Sequence, residues 1–112
     1  MAQFTCTITY PGGQSKLDWT PAEPTTRNHC QKDDKITFKS PEVKSILSFS
    51  VDSPFERRQG PKAYRVTKAG SLRLTIKRSF PDNSLHRFHF FCLPDGVMVP
   101  GNGGSVPVGG GN

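Results

Sequence analysis

The 112-residue chain is 33% hydrophobic and contains 11 Gly and 10 Pro, which fits one small domain with many turns. It has no run of about 18 apolar residues and no charged-then-apolar start, so the sequence predicts neither a transmembrane helix nor a signal peptide. The formal net charge of +6 is uneven, because nine Lys or Arg and a single acidic residue, Asp82, lie between Arg57 and Arg87. Such a segment either forms a solvated sheet face or attracts an anionic partner such as nucleic acid.

Alternating apolar and polar residues predict β-strands along most of the chain, and no window shows helical periodicity. In the run 45–51, for example, the alternation buries Leu47, Phe49 and Val51. The predicted strands are residues 3–10, 16–20, 35–40, 45–51, 62–67, 71–78 and 85–92. About seven short strands joined by Gly, Pro and Asn turns, including the turn at 81–83, predict an all-β, Greek-key β-sandwich.

Two segments fall outside the predicted strands. Residues 52–61 form the longest irregular stretch before the tail, with Arg57 and Arg58 near its tip, and are our first candidate contact surface. Residues 101–112 are rich in glycine and are expected to be a flexible tail following the domain at 1–100. Within the tail, 105–108 is compatible with one short strand, which Pro107 would confine to a sheet edge.

The segment 85–98 is the most aromatic part of the chain and contains candidate metal ligands. In a regular strand, His86 and Cys92 lie on the buried face, whereas His89 lies on the opposite face. His86 is six residues from Cys92, about 20 Å at the rise of a strand. Neither histidine can therefore share a metal ion with Cys92 from within a regular strand.

No motif in the sequence indicates an enzyme. The chain contains no G-x-S-x-G, no H-E-x-x-H and no glycine-rich phosphate loop. Cys92 beside a histidine is compatible with a thiol nucleophile, but a cysteine closing a buried aromatic face is usually inert packing. The three cysteines, Cys6, Cys30 and Cys92, are too far apart for a C-x-x-C site. We therefore predict no catalytic residues.

Two stretches, HCQKDDKITF and FHFFCLPDGVM, resemble the third strand and the final strand with its copper loop in cupredoxins, azurin-like members in particular. The resemblance covers most of residues 3–99. It implies a cupredoxin-like sandwich and a disulfide between Cys6 and Cys30, which would in turn imply an oxidising compartment.

The resemblance does not extend to a complete copper site. Type 1 copper needs two imidazoles, a thiolate and a weak axial Met, and only Cys92 and Met98 match. Asp95 stands nearest the place of one histidine, and counting along the family pattern puts Ile46 at the place of the other. The resemblance thus implies the fold without a metal or cofactor; the alternative is a degenerate site built from Cys92, Met98, Asp95 and His86.

The function expected from these observations is a non-catalytic, metal-free binding or structural module with a protein partner or self-assembly. Polyanion binding is a further alternative, because the consecutive strands 71–78 and 85–92 are expected to pair and to join their outward basic residues. The residues assigned to that surface are Arg57, Arg58, Arg73, Lys77 and Arg87. Localisation leans towards an extracytoplasmic mature domain, or a cytoplasmic one if Met1 is the natural start.

Overall fold

The computed structural model describes residues 3–25, 29–80 and 84–109. Within these ranges it contains β-strands and two short 3-10 turns, at Pro11–Gly13 and Pro94–Gly96, and no α-helix. The strands are β1 (Gln3–Thr9), β2 (Lys16–Thr20), β3 (Lys35–Ser40), β4 (Ser45–Phe49), β5 (Lys62–Val66), β6 (Gly70–Thr75), β7 (Ser84–Cys92), β8 (Val99–Pro100) and β9 (Gly104–Val108). No helix in the described ranges is long and apolar enough to cross a membrane.

The strands form two sheets that pack into a β-sandwich. The first sheet has the order β2-β1-β3-β6, in which β1 and β3 run parallel. The second has the order β5-β4-β7-β8, and β9 also pairs with β7. The prediction of an all-β chain is therefore confirmed, and each of the predicted strands is present, two with the predicted bounds and five with ends shifted by one to three residues.

The core lies between the sheets, and phenylalanine is its most frequent residue within the described ranges. Phe38 from β3 is fully buried and meets Phe88 from β7 in an edge-to-face contact, with ring centroids 6.1 Å apart, a geometry that aromatic pairs prefer. The alternation predicted for β7 is confirmed, since His86, Phe90 and Cys92 are also buried.

The chain leaves the second sheet earlier than the sequence predicts. β4 ends at Phe49, and Val51, which was expected to be buried, is 79% exposed. The reason is that the following loop turns into the sandwich and places Phe55, 1% exposed, in the core. In the proposed contact loop 52–61, Arg57 and Arg58 are exposed. Residues 53–55 of the same loop are buried and therefore belong to the packed interior.

The expected pairing of the strands at 71–78 and 85–92 is wrong. β6 pairs with β3 in the first sheet, whereas β7 belongs to the second. The link between them therefore crosses from one sheet to the other; its predicted turn at 81–83 lies outside the described residues. Arg73 and Arg87 consequently occupy different sheets.

The glycine-rich segment is not a flexible tail over 104–109. It contains β9, whose Val106 and Val108 are fully buried against the core. Gly104 lies so close to Phe88 that a side-chain carbon there would overlap the aromatic ring. The sequence suggested a short strand at 105–108, but glycine content concealed how closely it packs. Residues 110–112 of the predicted tail lie outside the described residues.

The three cysteines are unpaired and buried, so the disulfide expected between Cys6 and Cys30 is not present. Cys6 lies on β1 in the first sheet, opposite Phe38. The backbone N–H of Cys30 instead donates to the carbonyl oxygen of Pro107, beside β9 of the second sheet. Burial raises the pKa of the Cys30 thiol to about 12, and it also raises the pKa of Cys6.

Candidate functional site

The residues of the alternative metal site are not brought together. The Cys92 thiol is buried and lies 3.9 Å from the carbonyl oxygen of Thr9, and burial raises the pKa of this thiol. Asp95 is exposed on a turn, Met98 is 53% exposed, and His86 lies towards the opposite end of β7. In the described ranges no three His, Cys, Asp or Glu side chains are grouped to hold a metal ion.

Ser45, not Ile46, faces Cys92. The two are paired across β4 and β7, and both are buried, whereas Ile46 is paired with Phe91 and Arg65 on the outer face. Ile46, the position derived by counting along the sequence, therefore does not face Cys92. The Ser45 hydroxyl has no hydrogen-bond partner among the described residues. One thiol and one neighbouring hydroxyl do not fit a type 1 copper ion, which needs two imidazoles.

A partly buried polar cluster lies at the other end of β7. One carboxylate oxygen of Asp52, Oδ1, accepts hydrogen bonds from Arg78 Nη2 at 2.7 Å and from the backbone N–H of Gly60 at 2.9 Å. His86 Nδ1 lies 3.2 Å from the Asp52 carbonyl oxygen and 3.5 Å from its Oδ2. His86 Nε2 is 2.8 Å from the hydroxyl of Ser84. The cluster therefore ties the loop after β4 to β7.

Sequence reasoning missed this cluster because its members are far apart in the chain. One signal was available, since alternation placed His86 on the buried face and a buried polar group requires partners. In the structure the His86 ring is 6% exposed and packs on Phe80, with ring centroids 4.8 Å apart. Ser84, His86 and Asp52 contain the atom types of a nucleophile–base relay, but the tight pairing of Asp52 with Arg78 and the burial of His86 favour an anchoring role.

We expect the cluster to make stability depend on pH. Burial is the largest influence on His86 and lowers its pKa from 6.5, although Asp52 acts in the opposite direction. The unfolded chain therefore takes up a proton near pH 6.5 that the native state resists, so the free energy of unfolding should fall as the pH drops from 7.5 to 5.5. Urea denaturation at the two pH values measures this, and His86→Gln should reduce the difference. His89→Gln, which alters an exposed residue on the outer face of β7, is the matched control; an equal loss there would contradict the assignment.

A groove of about 810 Å³ runs over the outer face of β7 next to this cluster. Two exposed apolar side chains line it, Val51 at 79% and Leu85 at 48% exposure, and Arg87 and Glu23 add opposite charges. The remaining lining residues come from the loop after β4, from β7 and from the turn into β9: Ser50, Asp52, His86, Phe88, His89, Asn102, Gly103, Gly104 and Ser105. The groove thus combines apolar contact area with a cationic side chain.

The predicted basic surface is divided. Arg73 is paired with Thr37 on the first sheet, and Arg87 with Ser105 on the second. Lys77 is near the loop after β4, because its backbone N–H donates to the carbonyl oxygen of Pro54 in the loop that carries Arg57 and Arg58. The five cations therefore do not form one continuous patch.

Comparison of the chain with protein-family models, curated proteins and solved structures found no match.

Proposed function

We propose that this chain is a non-catalytic, metal-free binding module with a cupredoxin-like Greek-key sandwich, and that the groove over β7 is its contact surface. The observation that carries the proposal is the exposure of Val51 and Leu85, which line one groove together with Arg87. Exposed apolar side chains grouped in this way are typical of interaction sites.

Two features support the cupredoxin-like part of the proposal. The first is the arrangement of two sheets with β1 and β3 parallel and the long β7 in the second sheet. The second is that β7 ends at Cys92 and continues into the turn Pro94–Gly96 and then Met98, as the sequence resemblance implies. The side chains that face Cys92 favour a sandwich without a resident metal ion.

The groove is suited to binding because hydrogen bonds and strand pairing hold the segments that line it. Asp52 follows Val51 directly and is fixed by Arg78, His86 and Gly60. Leu85 belongs to a strand that pairs with β9. A partner therefore loses little free energy in ordering this surface, which is the main benefit of a preformed site.

Panning a random 12-residue peptide library against the protein tests the proposal. Clones that bind the groove should lose affinity at least about tenfold when Val51→Asp and Leu85→Asp are combined, because burying each apolar side chain is worth roughly 1.5–3 kcal/mol. The matched control is Val97→Asp with Met98→Asp, which alters two large apolar side chains elsewhere in the described ranges, at 63% and 53% exposure. The proposal would be contradicted if the affinity of the selected peptides did not change with the substitutions at Val51 and Leu85. It would also be contradicted if the substitutions at Val97 and Met98 lowered that affinity equally.

Two further measurements on the protein test the alternative functions, polyanion binding and a degenerate metal site. Retention on heparin that falls with salt and weakens after Arg57→Ser and Arg58→Ser would favour a polyanion site. Stoichiometric copper or zinc in the untagged protein, lost with Cys92→Ser, would favour a degenerate metal site.

A further inference from the structure

The first half of β7 has a backbone edge that no described strand covers. The pairing of β4 with β7 ends at Ser48 and His89. If the two strands had continued in the same register, Ser50 would face Arg87 and Asp52 would face Leu85. No backbone hydrogen bond joins these positions in the described ranges.

The backbone groups of Leu85 and Arg87 point to that open edge. In an antiparallel sheet, successive residues direct their N–H and C=O groups to opposite sides of the strand. Pro107, the partner of Leu85, directs its carbonyl oxygen away from β7 to Cys30, so the pair makes no hydrogen bonds. Farther along β7, the carbonyl of Phe90 accepts from Gly101 on the β8 and β9 side, and the N–H of Leu93 donates to Lys44 next to β4. Odd-numbered residues of β7 therefore face the β4 side.

The edge is open because the chain after β4 turns towards the core and does not continue alongside β7. The carbonyl oxygen of Asp52 lies against His86, a residue of the inner face, and Phe55 enters the core. The segment that would have extended β4 thus covers the core instead of pairing with Leu85 and Arg87. A strand edge whose N–H and C=O groups are not paired with another strand is a template for one.

We propose that the groove binds an extended peptide segment of a partner protein, which adds as a strand along Leu85 and Arg87; this inference rests on the proposed function of the groove. The peptide backbone would pair with the N–H and C=O groups of the two residues, as in other β-strand additions. On the outer face, one apolar peptide side chain contacts Val51 and Leu85. A second copy of the same edge is disfavoured in the register that places Arg87 opposite Arg87, because like charges then face each other.

Charge selects the chemistry of the peptide. Arg87 is exposed and has no ion pair in the described ranges. Asp52 does not neutralise it, because that carboxylate is already paired with Arg78 at 2.7 Å. Glu23 also lines the groove and disfavours a second acid there. The preferred segment therefore alternates β-branched residues with one acidic residue placed against Arg87.

Amide hydrogen exchange tests the edge in the free protein and again with a groove-dependent peptide bound. In the free protein the amides of Leu85 and Arg87 should exchange at least about 100-fold faster than those of His86 and Phe88, which face β9. The bound peptide should protect the first pair. Two versions of the peptide, N-methylated at alternate amides, complete the test. The version that loses the N–H groups facing β7 should not bind, whereas the version methylated at the amides facing away should bind normally. Arg87→Glu should weaken an acidic peptide about tenfold or more, whereas Arg65→Glu, on β5, is the control.

The outcomes separate the two proposals. A peptide that needs Val51 and Leu85 but leaves the amides of Leu85 and Arg87 unprotected binds through side chains, which overturns strand addition and retains the binding module. Slow exchange of both amides in the free protein would show that the edge is already paired, which overturns the inference alone. Failure to select any groove-dependent peptide would overturn both.

Discussion

Phe55→Ala should lower the free energy of unfolding by about 3–5 kcal/mol, although the residue lies in an irregular loop. Its side chain is 1% exposed and makes edge-to-face contacts with Phe38, Phe49 and Tyr64, at centroid distances of 6.2, 5.6 and 6.0 Å. Removing a buried Phe side chain costs this much because the cavity collapses only in part. Urea denaturation of the two proteins measures the difference.

The matched controls lie in the same loop. Arg57→Ala and Arg58→Ala alter exposed side chains and should change stability by no more than about 0.5 kcal/mol. A small effect of Phe55→Ala would mean that the loop is not anchored in the core. The explanation for the open edge of β7 would then be lost.

Copper should bind in a visible thiolate complex after Ser45→His is combined with Asp95→His, but not in the parent protein. Ser45 is the buried neighbour of Cys92 across the sheet, so a histidine there can coordinate the same copper ion as the thiolate. Asp95 and Met98 are exposed in the parent protein, so the turn Pro94–Gly96 must close over the ion before the second histidine and Met98 complete the ligand set typical of type 1 copper. Titration with Cu(II), followed by visible absorption, should show an intense band in the double variant.

Ile46→His combined with Asp95→His is the control that distinguishes the structure from simple counting along the sequence. Ile46 is paired with Arg65 and Phe91 on the outer face of β4, so its imidazole cannot reach Cys92. An intense band in this control, or its absence in the Ser45 variant, would argue against the cupredoxin-like register. Because a histidine at Ser45 enters a packed interior, stability should be measured in parallel.

The strands could be predicted because each has its own local pattern. Alternation placed Phe88, Phe90 and Cys92 on one face of β7, and all three are buried. The pairing of strands could not be inferred as securely. Neighbours in sequence usually lie side by side, yet β6 and β7 lie in different sheets, and nothing local to Arg73 or Arg87 indicates the crossing.

Most of the candidate site could not be predicted from the sequence, because it forms where the chain stops following the alternation of apolar and polar residues. The alternation that correctly buries Leu47 and Phe49 also predicted burial of Val51, which is exposed. Only the tertiary contacts of Asp52 and Phe55 explain why the strand stops. The groove and the open edge both follow from that interruption.

The glycines near the C-terminus have a consequence for how freely this sequence can vary. A side-chain carbon at Gly101 would overlap the ring of Phe90, and one at Gly104 would overlap the ring of Phe88. Low-complexity segments are usually regarded as permissive to mutation, but here the absence of a side chain is itself the packing requirement. In a saturation mutagenesis map, these two positions should therefore be as intolerant as the aromatic residues they contact, and the segment should be treated as part of the folding unit when domain boundaries are chosen for expression.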